Sequence, residues 1–478
     1  MREQIFNPYL PEGQYFPDGE PHVFGDRVYV YASHDKFGGN RFCMGDYKVW
    51  SAPLDDLSAW SCDKVALPRK NIYNKSGYKC MYAPDCTRGA DGRYYLYFCF
   101  DFENRICVAA SDMPDGPFEI IGCVKHADGK LYGTKKGDVM CFDPALYTDE
   151  DGQTYLYSGF SPSLLIRTGL KLKGLKNVKE DGGQVMKLKA DMTTIDGEPK
   201  MSAPGRSNSA GTGFEGHEFY EASSMRKIGG RFYFIYSSVL SHELCYAVGD
   251  RPDGPFEYGG TIISNGDFGI GRAPDEPKAY WGNNHGSAVE LNGQLYIFYH
   301  RQTNKNEQTR QGCAESIYID GDGKIKQVQT TSCGLNGVPL KGEGTYPAYI
   351  ACGLRSEAGA CKSAYGPMRR GTYGEHPCIT QENGRQFIQN LRRGSRADYR
   401  FFDIKGLKAF AATVRGGEGA IEVFADGADE PFAKVPIKKT ENWAQFKADC
   451  SLADGVHELK LTYNGEGACD ILDFTLIV

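Results

Sequence analysis

The sequence predicts an all-β chain, a five-bladed β-propeller followed by a β-sandwich. Three observations carry this expectation. Five short segments repeat one pattern, an acidic or glycine turn running into alternating aromatic and aliphatic residues, and two of these units match over a longer span. Beyond about Tyr346, strand-like runs continue without that turn pattern. The 59 glycines and 13% aromatic content favour tight turns between short strands over long helices, and 478 residues exceed one ordinary core.

In chain order, the repeated segments are Gly25 to Tyr31, Asp91 to Tyr97, Asp151 to Tyr157, Gly229 to Tyr236 and Asn292 to Tyr299. Each reads as a hairpin turn feeding a strand. Cys107 to Glu119 (CVAASDMPDGPFE) matches Cys245 to Glu257 (CYAVGDRPDGPFE); Asp115 and Asp253 stand 138 residues apart, as do Tyr95 and Tyr233 in the preceding strands. One structural unit is used twice. Units that must bury their faces on their neighbours, spaced by roughly fifty to eighty residues, suit a radial array, with a β-sandwich or parallel β-solenoid as the alternative. Glu315 to Asp320 and the turn Gly321-Asp322-Gly323 read as the closing strands of the last blade. This places the propeller at residues 1–340 and the sandwich at 341–478, with sandwich strands at Phe387 to Leu391, Ala409 to Val414, Ala420 to Phe424 and His457 to Tyr463.

The formal net charge of −6, with both signs interspersed, offers no basic field to nucleic acid or an anionic membrane. The expected partner is neutral. Met1 to Pro8 contains no apolar stretch that could serve as a signal peptide, and no later run could span a bilayer. The sixteen cysteines are scattered, without a CxxC pair, and read as reduced and partly buried. A cytoplasmic protein is expected, although removal of a secretory leader would leave the same sequence.

A propeller gathers the starts of its innermost strands around one axis, so distant residues can share a central pocket. Three carboxylates occupy such places: Asp18 in FPDGEP, Asp143 in FDP and Glu221 in FYEASS. Acids lodged among aromatic residues cost free energy unless paired or used. Two carboxyl groups facing each other across a sugar can split a glycosidic bond, one protonating the leaving oxygen while the other activates water. A third raises the donor's pKa by like-charge repulsion. For any one acid alone, an Asx-type turn or an ion pair is the alternative. His285, in WGNNHG, precedes the fifth blade's strand in the same way; it reads as an axial residue holding a cation or water, or as a hydrogen-bonded core histidine.

Asp18 with Val28 to Tyr31, the stretch FDPALYTDEDGQTYLYSG and the stretch YEASSMRKIGGRFYFIYSS resemble the acid-bearing blades of glycoside hydrolase family 43 over roughly residues 5 to 335. The resemblance implies Asp18 as general base, Asp143 as the group that raises the acid's pKa and orients it, and Glu221 as general acid, in a single displacement with inversion. Glu20, the acid directly before proline, rivals Asp18. Tyr82-Ala83-Pro84-Asp85 is similar to the family's second-blade start, which implies Tyr82 near the sugar and Asp85 on its hydroxyls. Arg301, Arg226 and His34-Asp35 are candidates for the rim, with ordinary propeller hydrogen bonding as the alternative. The loops Lys36 to Asp46 and Lys187 to Phe214 are expected to set pocket depth.

The tail resembles carbohydrate-binding module family 6, a jelly-roll sandwich, at Phe387 to Leu391, RADY (396–399), NWAQF (442–446), GVHEL (455–459) and DILDF (470–474). That resemblance places Tyr399 and Trp443 as a clamp on a sugar ring and Asn464 on its hydroxyls; packing against the catalytic domain is the alternative role. The expected activity is an inverting, exo-acting hydrolase releasing xylose or arabinofuranose from plant oligosaccharides. Endo-arabinanase, exo-galactanase and a non-catalytic sugar-binding propeller are the alternatives. No cofactor is expected in the chemistry; His285 is the expected metal position, and a structural calcium is the ion considered for the protein.

Overall fold

The computed structural model describes residues 4–101, 103–271, 274–304, 306–361 and 376–478. Five antiparallel sheets follow one another as blades. The first comprises Glu20–Phe24, Arg27–Tyr31 and Val49–Pro53, and the second Met81–Arg88, Tyr94–Phe100, Ile106–Ser111 and Glu119–Cys123. The third comprises Ala145–Thr148, Thr154–Ser158, Gly182–Leu188 and Ile195–Pro204. The fourth comprises Phe219–Ile228, Arg231–Ser238, Glu243–Gly249 and Glu257–Ser264, and the fifth Ala288–Leu291, Gln294–Gln302 and Arg310–Ile317.

Each repeated segment of the sequence is the second strand of a blade. These strands lie between neighbouring blades and are buried along nearly their whole length, as Thr154–Ser158 is throughout, so both faces must be apolar. The blades are stapled by aromatic pairs such as Phe24 with Tyr94 (5.0 Å) and Tyr147 with Phe232 (5.5 Å). The long repeat has a shared structural cause. Tyr31 of the first blade donates its hydroxyl to the Pro114 carbonyl at 2.5 Å, and Tyr157 of the third makes the same bond to the Pro252 carbonyl at 2.5 Å.

The ring closes through the N-terminal residues. Asn7 exchanges two hydrogen bonds with the backbone of Ala314, at 2.9 and 3.0 Å, and the Tyr9 N–H donates to the Gly312 carbonyl at 3.3 Å. The last blade strand is Arg310–Ile317, starting earlier than Glu315, because Arg310 and Gln311 are polar residues buried for use rather than for packing. One helix, Leu164–Leu172, interrupts the third blade and was not expected from the strand pattern.

Among the described residues, the C-terminal strands form one continuous ten-stranded sheet around a core that includes Tyr346, Tyr399, Phe402, Phe410 and Phe474. The runs read separately at Ala409 and Ala420 are one strand, Ala409–Ala425, paired along its length with Gly455–Ile477. Leu340, placed with the propeller by the sequence reading, belongs to this C-terminal core. Arg400 ties the two halves together, its Nη1 donating to Asp267 Oδ2 at 2.7 Å and to the Thr330 carbonyl at 3.0 Å. Among the described residues, no helix is long and apolar enough to cross a membrane. All sixteen cysteines are free thiols.

Candidate active site

The innermost strands end around a cavity of about 510 Å³, and Asp18, Asp143 and Glu221 all line it. Its size is that of small-ligand sites in general. Local backbone geometry aims these carboxyls. Asp18 and Asp143 sit in the left-handed region, at φ 60° and 43°, just before the first strands of their blades. Glu221 lies in Phe219–Ile228 where the pairing with Arg231–Ser238 shifts register on both sides of it, and Ala222 adopts φ 64°. Alanine has no polar side chain to ease that conformation, which costs about 1–2 kcal/mol. Such strain is held by surrounding structure, and the Ala222 N–H donates to Asp143 Oδ2 at 3.0 Å.

The three acids sit in different electrostatic environments. Burial alone would raise the Asp18 carboxyl, but the Arg310 guanidinium, donating from Nη1 at 2.9 Å, and His300 hold it well below the usual carboxylate range. His300 Nε2 is 2.8 Å from the Asn283 carbonyl, and its Nδ1 lies 3.3 Å from the Asp18 backbone nitrogen and 3.2 Å from Asp18 Oδ1. Burial and the Asp18 charge push Asp143 up to about 7 against the pull of His285. Glu221, half-buried, is raised well above its ordinary value by desolvation and by Asp143. Thus Asp18 stays ionised while Glu221 retains its proton, the separation an acid and base pair needs.

His285 lies between carboxylates, with Nδ1 3.6 Å from Asp143 Oδ2 and Nε2 3.7 Å from Glu20 Oε1. Burial disfavours its charge, but Glu20, Asp143 and Asp18 outweigh that and raise it to about 9. Its Nε2 and Glu20 Oε1 both lack a hydrogen-bond partner among the described residues. One ring nitrogen and one carboxylate oxygen fall well short of the six to eight oxygens calcium takes. A calcium at His285 would therefore take most of its ligands from water.

Four aromatic rings form a continuous arc along the wall: Tyr82 to Phe142 at 5.4 Å, Phe142 to Phe160 at 4.9 Å, and Phe160 to Tyr220 at 5.3 Å. Tyr82, expected near the sugar, lines this cavity. Tyr220 was missed, although it lies 138 residues after Tyr82 in the same register of the repeat. Arg310 was missed as well; its strand also carries Gln311, Glu315 and Ser316, so no apolar context marked the arginine.

Several expected site residues lie elsewhere. Glu20 is buried and taken up by Arg226 Nη2 at 2.8 Å and Ser224 Oγ at 3.0 Å, which removes it as a rival base and assigns Arg226 to the frame. Asp85 is fully buried, accepting from the Leu146 N–H at 2.7 Å and meeting His22 at 2.6 Å, so it joins blades instead of touching sugar. Arg301 is buried with its guanidinium on the carbonyls of Tyr349 (2.6 Å) and Ala351, bracing the C-terminal domain. Asp35 pairs with Arg310. The loop around Asn40, Arg41 and Phe42 lines the cavity as expected, but no residue of Lys187 to Phe214 does; the helix Leu164–Leu172 supplies that wall through Ile166, Gly169 and Leu170.

The expected sugar clamp of the C-terminal domain is not assembled. Tyr399 is 0% exposed, with its hydroxyl donating to the Ala348 carbonyl at 3.0 Å. Trp443 carries Arg415 over its ring at 4.5 Å and packs on Phe387 at 5.3 Å. Asn464 lies apart from them in a shallow surface hollow with Lys434 and Pro436. A residue in the core cannot stack on a ligand, so the trio is corrected to one core tyrosine and two separate surface positions.

Residues 10–325 match the model of glycosyl hydrolases family 43. The chain is 45% identical to a xylosidase/arabinosidase of Thermoclostridium stercorarium, over 100% of this chain and 99% of the relative. A β-xylosidase/α-arabinofuranosidase from a compost microbial metagenome, solved with xylotriose, superposes with TM-score 0.51 at 27% identity, covering 69% of this chain and 97% of that one. An arabinoxylan arabinofuranohydrolase of Bacillus subtilis shares the fold across 98% of this chain and 97% of its own, with TM-score 0.52 at 21% identity. A propeller whose axial cavity carries three acids, together with these matches, establishes that the chain belongs to glycosyl hydrolases family 43.

Proposed function

We propose that the protein is an inverting, exo-acting glycosidase that removes xylose and arabinofuranose from the ends of short plant-derived oligosaccharides. The observation that carries this reading is the convergence of Asp18, Asp143 and Glu221 on one cavity with their protonation states driven apart. Glu221 donates its proton to the glycosidic oxygen as that bond breaks. Asp18, ionised beside Arg310, accepts a proton from the water that attacks the anomeric carbon from the other face. Asp143 holds the Ala222 backbone and keeps Glu221 protonated. The aromatic arc offers flat apolar faces to sugar C–H groups.

The pairing of the two sugars is supported by the relatives' xylosidase/arabinosidase activity and by a single cavity for both. We assign no step to a cation; a calcium at the axis would have to be held through waters beside Glu20. The C-terminal domain is proposed as a carbohydrate-binding-module-like sandwich whose role here is to brace the propeller. Contacts such as Tyr15 Oη to Gln381 Oε1 (2.7 Å) and Arg400 to Asp267 support this. The test is the Asp18→Asn variant assayed on nitrophenyl β-xyloside and nitrophenyl α-arabinofuranoside. Both activities should fall together, and loss of only one would refute a shared site.

A further inference from the structure

On the fourth blade, away from the carboxylate cavity, His217, Glu243 and Cys245 bring three different ligand atoms together. His217 Nδ1 is 2.6 Å from Glu243 Oε1, Cys245 Sγ is 3.3 Å from the same oxygen, and Cys245 Sγ is 3.9 Å from His217 Nδ1. Tetrahedral zinc with bonds of about 2.0–2.3 Å sets its ligand atoms roughly 3.4–3.6 Å apart. The two edges involving sulfur bracket that spacing, and the third is a hydrogen bond that opens once its proton leaves.

The surroundings already hold these groups in place. Ser238 Oγ donates to Glu243 Oε1 at 2.5 Å and Thr261 Oγ1 donates to Oε2 at 2.8 Å. The His217 ring stacks on Tyr258 at 5.2 Å, and its carbonyl accepts the Tyr236 hydroxyl at 2.7 Å. Outer partners of this kind orient metal ligands. The cluster is not a requirement of the fold. At the matching positions of the second blade, 138 residues earlier, Lys79, Arg105 and Cys107 stand in place of His217, Glu243 and Cys245. Two cations there exclude a metal, whereas the fourth blade carries an imidazole and a carboxylate around the same thiol.

We infer that His217, Glu243 and Cys245 form a binding site for one divalent transition-metal ion of the zinc class, with water completing the tetrahedron from the half-exposed His217 side. Binding releases the Cys245 thiol proton, and the proton shared by His217 and Glu243 where the imidazole is charged, to solvent. The ion would fix the segment that leads, four residues on, to Glu221.

The test is titration of the full-length reduced protein with Co²⁺, followed by displacement with Zn²⁺, comparing wild type with Cys245→Ser and His217→Gln. The expected result is one equivalent bound with a sulfur-to-cobalt charge-transfer absorption. Cys245→Ser should abolish that absorption, and His217→Gln should weaken binding by more than about tenfold. Zn²⁺ should raise the melting temperature of the wild type alone. If Cys245→Ser does not fold, the half-exposed His217 variant decides. No stoichiometric binding, or an unchanged absorption and affinity in His217→Gln, would overturn the assignment.

Discussion

Asp143 Oδ2 accepts the backbone N–H of Ala222 at 3.0 Å, linking the third and fourth blades at the residue next to Glu221. One carboxyl therefore sets both the position and the charge environment of another. Replacing Asp143 with Asn keeps an acceptor there but removes the repulsion.

The pH profile should report that change. Asp143, near 7, and Glu221 take up protons as a coupled pair. As pH rises and Asp143 ionises, its charge pushes Glu221 further up and delays loss of the general acid. In Asp143→Asn that delay disappears, so the alkaline limb of kcat/KM should move to lower pH. Asp18 is held so low that it should contribute no acid limb above the ordinary carboxylate range. A kcat/KM profile on nitrophenyl xyloside checks both statements.

Glu221→Gln should lower kcat by about 10²–10⁴-fold on substrates with poor leaving groups. The loss should be much smaller for leaving groups that need no protonation. A series of aryl xylosides of graded phenol acidity measures this dependence.

Asp18 and Glu20 should separate cleanly. Asp18→Asn removes the base and should cost roughly 10²–10⁴-fold in kcat with every leaving group. Glu20→Gln loosens Arg226 and the axis, so it should lower the melting temperature while leaving measurable turnover. Kinetics and thermal denaturation on the two variants suffice.

Arg400→Ala breaks a buried pair with Asp267 between the two halves of the chain. The expected cost is roughly 3–5 kcal/mol of stability, with kcat unchanged well below the transition. Denaturant unfolding alongside activity shows it.

The propeller was legible because its second strands are buried on both faces and their turns need glycine or acidic residues, which leaves a dense local pattern. The three acids were legible because each breaks an apolar context at the start of a blade. Contacts that depend on packing direction were not. Asp85 and Arg301 look like site residues in one dimension, yet Asp85 turns to His22 and the Leu146 N–H, and Arg301 turns to carbonyls of the other domain. Tyr399 sits in a strand whose alternation does not reveal which face is core. The helix Leu164–Leu172 exposes leucines 164, 165 and 172, so its apolar residues did not mark which side faces the cavity.

The stereochemistry of the first product tests the mechanism most directly. Proton NMR during early turnover of a β-xyloside by the wild-type protein should show α-xylose first, with the β anomer growing in only as the sugar mutarotates. Initial release of β-xylose would mean that a carboxylate attacks the sugar itself, and would contradict the assignment of Asp18 as the base that activates water.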